Sequence, residues 1–410
     1  MRLRPSLLLL MTGLLFWQKV EAQRGFSFTD DRSEVEIPFE FQNNFIVVTL
    51  LMNHAYGMKF IFDTGSEHTI ITKREVPDLL GLRYEREFKL LGSDLTTELT
   101  AYLVRGIRFE VPEKIVAVNE SVLVLDTDYF RFEEYAGVAV QGILGANVFS
   151  KYLIRVNYQR HVISLIDRGS FKKPPGFEAL EIQNFRNKPY LSTNLRLQND
   201  SLIEVKLLLD TGAGHGLMLF TNTHPSLTLP PEVLHGNIGM GLGGYLEGFL
   251  GRTSGLFFGK NELSQLLTYF QAIDTVRAGG QLNNRNGLIG NDILSRFQVI
   301  FDLNGEMLYL KPAKNWQKKF DYDRSGISVV ASGANLRQFS VQEILPNSPA
   351  SDASLQKGDR ILRIGPWPVS VFSLASLQKK LVGKPGQDIK LTIRRGTKKM
   401  SVKIALRDLI

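Results

Sequence analysis

Phe62-Asp63-Thr64-Gly65-Ser66 closes one apolar run of this chain, and Leu209-Asp210-Thr211-Gly212-Ala213 closes another 147 residues later. The runs are Met58-Lys59-Phe60-Ile61-Phe62 and Val205-Lys206-Leu207-Leu208-Leu209. A strand that ends in a carboxylate and then a glycine places charge at a turn, on the rim of a core. One such carboxylate can be a plain turn residue. Two in matched contexts suggest a pair, and paired carboxylates share a proton and divide the work of acid and base.

The repetition extends further. Gly142-Ile143-Leu144-Gly145-Ala146-Asn147-Val148-Phe149 follows the first motif, and Gly287-Leu288-Ile289-Gly290-Asn291-Asp292-Ile293-Leu294 follows the second at near-equal spacing. Each block runs into an apolar strand, Tyr152-Leu153-Ile154-Arg155-Val156-Asn157 or Phe297-Gln298-Val299-Ile300-Phe301-Asp302. Asp-Thr-Gly followed by apolar-apolar-Gly, twice in order, resembles the pepsin-like and retroviral aspartic proteases over residues 34–312. A single Asp-Thr-Gly recurs by chance, whereas the duplicated pair is specific. The resemblance implies a mainly β fold with two pseudo-symmetric β-barrel lobes, residues 34–168 and 178–312.

A length of 410 residues predicts two or three domains, and 43% hydrophobic with 22% charged residues suffices for ordinary cores. Arg2 and Arg4, the apolar residues 7–17, and Val20-Glu21-Ala22 before Gln23 read as a signal peptide over residues 1–22. That run is too short to span a bilayer comfortably, and no later stretch is long and apolar enough, so no membrane span is expected. About ten residues separate Gln23 from the first strand, too few for a folded inhibitory pro-segment. The formal net charge is +8, and no basic stripe with interleaved aromatics marks a nucleic-acid partner. The chain has no cysteine, which excludes disulfides, thiol catalysis and cysteine-held zinc. An exported chain without cysteine fits the periplasm or exterior of a bacterial envelope.

Within the first lobe, residues 34–41 alternate as a half-buried strand, and residues 44–62 read as a hairpin. Residues 90–98 stand where the resembled families have their flap, and residues 239–247 stand at the matching place in the second lobe. The two segments align from Gly92 and Gly241 onward at a constant offset, with Gly243 and Gly244 at the second tip. Glycines there permit positive φ and close backbone approach; an ordinary glycine-rich turn is the plainer alternative. Residues 167–177 read as a linker, residues 261–270 as a helical insert, and residues 313–322 as a second linker.

Residues 324–406 form a third unit. Ser348-Pro349-Ala350 enters a short helix, and Leu355-Gln356-Lys357-Gly358-Asp359-Arg360-Ile361 follows. This pattern resembles a PDZ domain of the bacterial type. The resemblance implies a carboxylate loop at Gly326-Ile327-Ser328-Val329, where Ser328 replaces the usual second glycine. It also implies a groove between the following strand and a helix over 373–381, which takes a C-terminal or extended peptide by strand addition. Ser348 and Asp359 are read as cap and turn residues rather than recognition groups.

By the resemblance, Asp63 and Asp210 are the catalytic pair, with no cofactor and no metal. Thr64 and Thr211 would lock the pair through hydroxyl hydrogen bonds. Gly65 and Gly212 would keep the turns tight and aim N–H groups at the carboxylates. Ser66 offers a hydroxyl that Ala213 lacks, and loss of such a bond raises a carboxylate pKa, so a weakly acidic optimum is expected. His68 and His215, five residues beyond each Asp, read either as subsite contacts or as ordinary solvated or core histidines. Ala146 and Asn291 stand where retroviral enzymes carry an arginine. The leading reading is an aspartic endopeptidase acting on exported or unfolded polypeptides, with the third unit delivering substrate or regulating the cleft. The alternative is a peptide-binding scaffold that cleaves nothing. A serine protease is disfavoured, since no Gly-x-Ser-x-Gly occurs.

Overall fold

The computed structural model describes residues 25–410 apart from Phe130 and Gly243. The expected signal peptide, residues 1–22, and the flap residue Gly243 lie outside the described residues. The chain is mainly β. Among the described residues, the strands form three sheets of 14, 8 and 6 strands.

Each Asp-Thr-Gly ends the second strand of a hairpin. Phe45–Met52 pairs with Tyr56–Asp63, Val47 opposite Ile61. Lys188–Arg196 pairs with Leu202–Leu209, Tyr190 opposite Leu208. The apolar-apolar-Gly blocks add a parallel neighbour: Gly142–Gly145 sets Gly142 opposite Phe60, and Gly287–Ile289 sets Gly287 opposite Leu207. Strands with a neighbour on each edge and side chains buried on both faces read as continuous apolar runs, which explains the two runs in the sequence. Gly142 and Gly287 are required sterically, because a side-chain carbon at either would run into the carbonyl of Ile70 or Met218. The same pairings therefore recur at the same distance from each aspartate.

Leu153–Asn157 and Phe297–Asp302, which follow the two glycine blocks, lie antiparallel with Arg155 opposite Ile300 and stitch the two halves together. One apolar core runs through Phe62, Phe149, Leu209 and Phe297 beneath the two turns.

Residues 261–270 correct the expectation of a helix. Asn261–Gln271 is a strand, antiparallel to Gly244–Phe258 and parallel to Leu217–Phe220. Leu263, Leu266, Leu267 and Phe270 have helical spacing, yet all four are buried. With cover on both faces, the strand's alternation is erased.

The C-terminal residues build a separate core around the six-stranded sheet and the helix Leu374–Leu381. Ser373 caps that helix, accepting from the Ser376 N–H (3.2 Å). Ser348 likewise accepts from the Ser351 N–H (3.3 Å), and Asp359 is held by Arg395 (2.7 Å). The unit is anchored to the body through its linker, where Phe320 and Tyr322 are buried in the large core and the Arg296 guanidinium lies 3.5 Å from the Phe320 ring centroid.

Candidate active site

The fold brings the two turns into contact. Thr64 and Thr211, both fully buried, form a reciprocal clasp. The Thr64 hydroxyl donates to the Leu209 carbonyl (2.6 Å) and accepts from the Thr211 N–H (3.0 Å). The Thr211 hydroxyl donates to the Phe62 carbonyl (2.9 Å) and accepts from the Thr64 N–H (3.0 Å). Each carboxylate is tied to its own turn, Asp63 by the Gly65 N–H (2.6 Å) and Asp210 by the Gly212 N–H (2.8 Å).

The glycines also make room. A side-chain carbon at Gly65 would lie 2.7 Å from the Asp210 carboxyl carbon, and one at Gly212 would strike the Asp63 carboxyl. The two carboxyls consequently face one another within hydrogen-bonding reach. Burial is the main cause that raises both pKa values, Asp63 well above the ordinary range. The partners of the pair differ. The Asp210 charge further raises Asp63, while hydrogen bonding to Asp63, the Arg285 guanidinium and the Gly212 N–H pull Asp210 down. The two carboxyls therefore titrate as one coupled pair, both shifted upward, and share a proton between them.

Ser66 departs from its expected use. Its hydroxyl donates to the His68 carbonyl (2.8 Å) rather than bearing on Asp63, so the raised carboxyl pKa values come from burial, with the Asp210 charge adding to the rise of Asp63. Ala213 packs at the edge of a core cluster that includes Leu208 and Met218. His68 is half exposed, with Glu67 3.9 Å away. His215 turns inward against Tyr269, and burial pushes it down to about 4, so it is neutral through the weakly acidic range.

The two glycine-bearing hairpins meet at their tips. The Ser93 N–H donates to the Leu242 carbonyl (2.5 Å), and the Ser93 hydroxyl accepts from the Leu242 N–H (2.8 Å). Gly92 closes the first tip, its N–H on the Thr97 carbonyl (2.7 Å). Gly241 abuts Ser93 so closely that a side chain there would collide with it. Gly244 adopts φ +119° and accounts for the glycine at the second tip.

In the C-terminal unit, Ile327–Ser332 is the edge strand of its sheet, and Gly326 turns into it with φ +75° against Ser348. Ile327 and Val329 point into the core. Residues 317–394 match the PDZ domain family. No curated protein matches the chain. The PDZ match supports a peptide-binding or regulatory role.

In this PDZ domain the loop's first amides are already engaged. Asp323 accepts from the N–H groups of Ser325 (2.7 Å) and Gly326 (3.0 Å), and the Ser325 hydroxyl accepts from the Ile327 N–H (3.2 Å). The groove also faces the rest of the chain. Helix Phe132–Ala136 packs against Ile327–Ser332, and Gly137 abuts Leu374 at the start of the groove helix. Ser328 lines a cavity of about 540 Å³ shared with His215, Phe45 and Phe132. Neither the engaged amides nor the helix laid along the groove has a signal in the sequence.

Proposed function

We propose that residues 34–312 form a bilobed aspartic endopeptidase, with lobes at 34–168 and 178–312, whose substrates are polypeptides and whose PDZ domain regulates the cleft. The observation that carries this reading is the meeting of two buried carboxyls with unequal partners. A peptide bond is attacked by water that gives its proton to the ionised carboxyl of the Asp63–Asp210 pair, while the protonated one donates to the carbonyl oxygen. Collapse of the resulting diol returns a proton to the leaving nitrogen. The regulatory role rests on helix Phe132–Ala136, which packs both on the PDZ edge strand and on Ile61, two residues before Asp63. The signal pattern supports export, and for an exported chain the absence of cysteine favours a bacterial envelope.

The test is incubation of the purified protein with an unfolded protein mixture, with and without a statine-type inhibitor. Inhibitor-sensitive cleavage is expected; no turnover from pH 2 to 8 would leave a peptide-binding scaffold. Turnover needs one carboxyl protonated and the other ionised. Because burial raises both members, the pH–rate maximum is expected above that of pepsin, whose pair titrates at roughly 1.5 and 4.7. A maximum below about pH 3 would contradict this. The same shift acts on stability. A raised folded pKa contributes stability at pH values below the unfolded value, and that contribution is lost as pH rises through the folded value. The thermal midpoint should therefore fall between pH 4 and 7, and fall less in Asp63→Asn.

The hairpin tips give a further expectation. Gly241→Val forces the tips apart, and should raise KM about tenfold while leaving the dyad's pH profile in place. An unchanged KM would show that the closed tips play no part in binding.

A further inference from the structure

The two halves differ beside the carboxylates. Val47, opposite Ile61 in the first half, corresponds by register to Tyr190, opposite Leu208 in the second. Val140, two residues before Gly142, corresponds to Arg285, two residues before Gly287. In the first half these positions belong to an apolar cluster with Phe45 and Phe132. In the second they carry a phenol and a guanidinium.

Arg285 is only 7% exposed. Among the described residues no carboxylate forms an ion pair with it, and its Nε has no hydrogen-bond partner. Its guanidinium lies over the Phe220 ring, 5.6 Å from the centroid. The Tyr190 hydroxyl and the Asn283 amide nitrogen stand beside it and interact with it, yet among the described residues neither they nor the Arg285 Nε reach a partner at full hydrogen-bond geometry. The guanidinium and the amide nitrogen are donors only, and the Tyr190 hydroxyl is the single acceptor facing them, so the cluster has more donors than acceptors. Buried unpaired polar groups are costly and call for an explanation. Tyr190, and the Phe220 ring under the guanidinium, belong to a cluster that also includes Leu95 from the first hairpin tip, Leu246 from the second, and Ala213 of the Asp210 turn, which places the three polar groups beside the carboxyl pair and the tips.

We propose that Arg285, with Tyr190 and Asn283, is a carboxylate-recognising subsite beside Asp210, so that substrates carry a carboxylate at one fixed position next to the cleaved bond. This deepens the endopeptidase reading and rests on it. An anion gives the guanidinium the charge-assisted bonds that no described carboxylate supplies. The carboxylate belongs either to a Glu or Asp side chain or to the end of the substrate chain. The apolar counterparts Val47 and Val140 fit an apolar side chain on the opposite side of the bond.

The test uses labelled octapeptides with Glu, Gln or Leu on either side of a central Phe, each with a free or amidated C-terminus. Cleavage by the wild type and binding to Asp63→Asn are measured in parallel. Glu is expected to exceed Gln by about tenfold or more at one position. Arg285→Met should bring that ratio near one, Arg285→Lys should keep part of it, and Tyr190→Phe should lower it. The ratio is read within each variant, so a general loss of rate through Asp210 does not mimic the effect. A preference that follows the free C-terminus instead assigns the subsite to the chain end. Equal use of Glu and Gln, or a ratio unmoved by Arg285→Met in folded protein, overturns the subsite while leaving the peptidase reading intact. If nothing is cleaved but Asp63→Asn still binds the Glu peptide preferentially through Arg285, the peptidase reading fails and the subsite stands. If there is neither cleavage nor preference, both fail.

Discussion

Replacing Asp63 or Asp210 by asparagine is expected to lower kcat/KM by roughly ten-thousand-fold while the fold is retained. An asparagine has the shape of a protonated aspartate and can still accept from the N–H of Gly65 or Gly212, which hold the carboxyls at 2.6 and 2.8 Å. It cannot exchange a proton with water or with the leaving nitrogen. Because both carboxyls are raised by burial, the neutral amide is the better buried group near neutral pH, and neither variant should lose thermal stability there. Because the two carboxyls work as one unit, Asp63→Asn/Asp210→Asn should be scarcely worse than either single change. Single variants within tenfold of the wild type would place the chemistry elsewhere.

What could be read from the sequence divides along a physical line. The Asp-Thr-Gly strands, the hairpins and the Ser348 cap were legible because a short pattern encodes each locally: an apolar run ending at a turn, or a cap followed by a helix. The strand Asn261–Gln271 was not, since burial on both faces removed its alternation. Ser66 was misread because its hydroxyl has a nearer acceptor in the His68 carbonyl than in the carboxylate. Arg285 was missed although a signal existed. Aligning the halves on their glycine blocks sets Arg285 against Val140, and the hairpin registers set Tyr190 against Val47. A charged residue replacing an apolar one at an equivalent core position marks a place where symmetry has been broken. Tertiary contacts between distant segments, such as helix Phe132–Ala136 on the PDZ edge strand, have no local pattern to betray them.

Removing one hydroxyl of the threonine clasp should be the most destabilising change in the body of the protein. Thr64→Val keeps shape and volume but leaves the Thr211 N–H without its acceptor and the Leu209 carbonyl without its donor. Thr211→Val does the same to the Thr64 N–H and the Phe62 carbonyl. Each orphaned group costs about 1–3 kcal/mol in a fully buried site, so each substitution should cost about 4 kcal/mol. That is a large share of the roughly 5–15 kcal/mol that holds a domain folded. Thr→Ser keeps the hydroxyl and should cost far less. The two hydroxyls bond to backbone on opposite turns and not to each other, so the losses involve four different groups. They are nonetheless linked, since either loss lets the turns separate and relaxes strain on what remains. The double Val variant should therefore fall short of the sum of the singles. Catalysis should suffer even where Thr64→Val remains folded, because the Asp63 and Asp210 carboxyls are positioned only by the turns the clasp holds together. Denaturant unfolding alongside kcat measured on the folded fraction separates the two effects. A Thr64→Val protein with unchanged stability would mean that water or another group satisfies the Leu209 carbonyl, and that the clasp does not hold the site together.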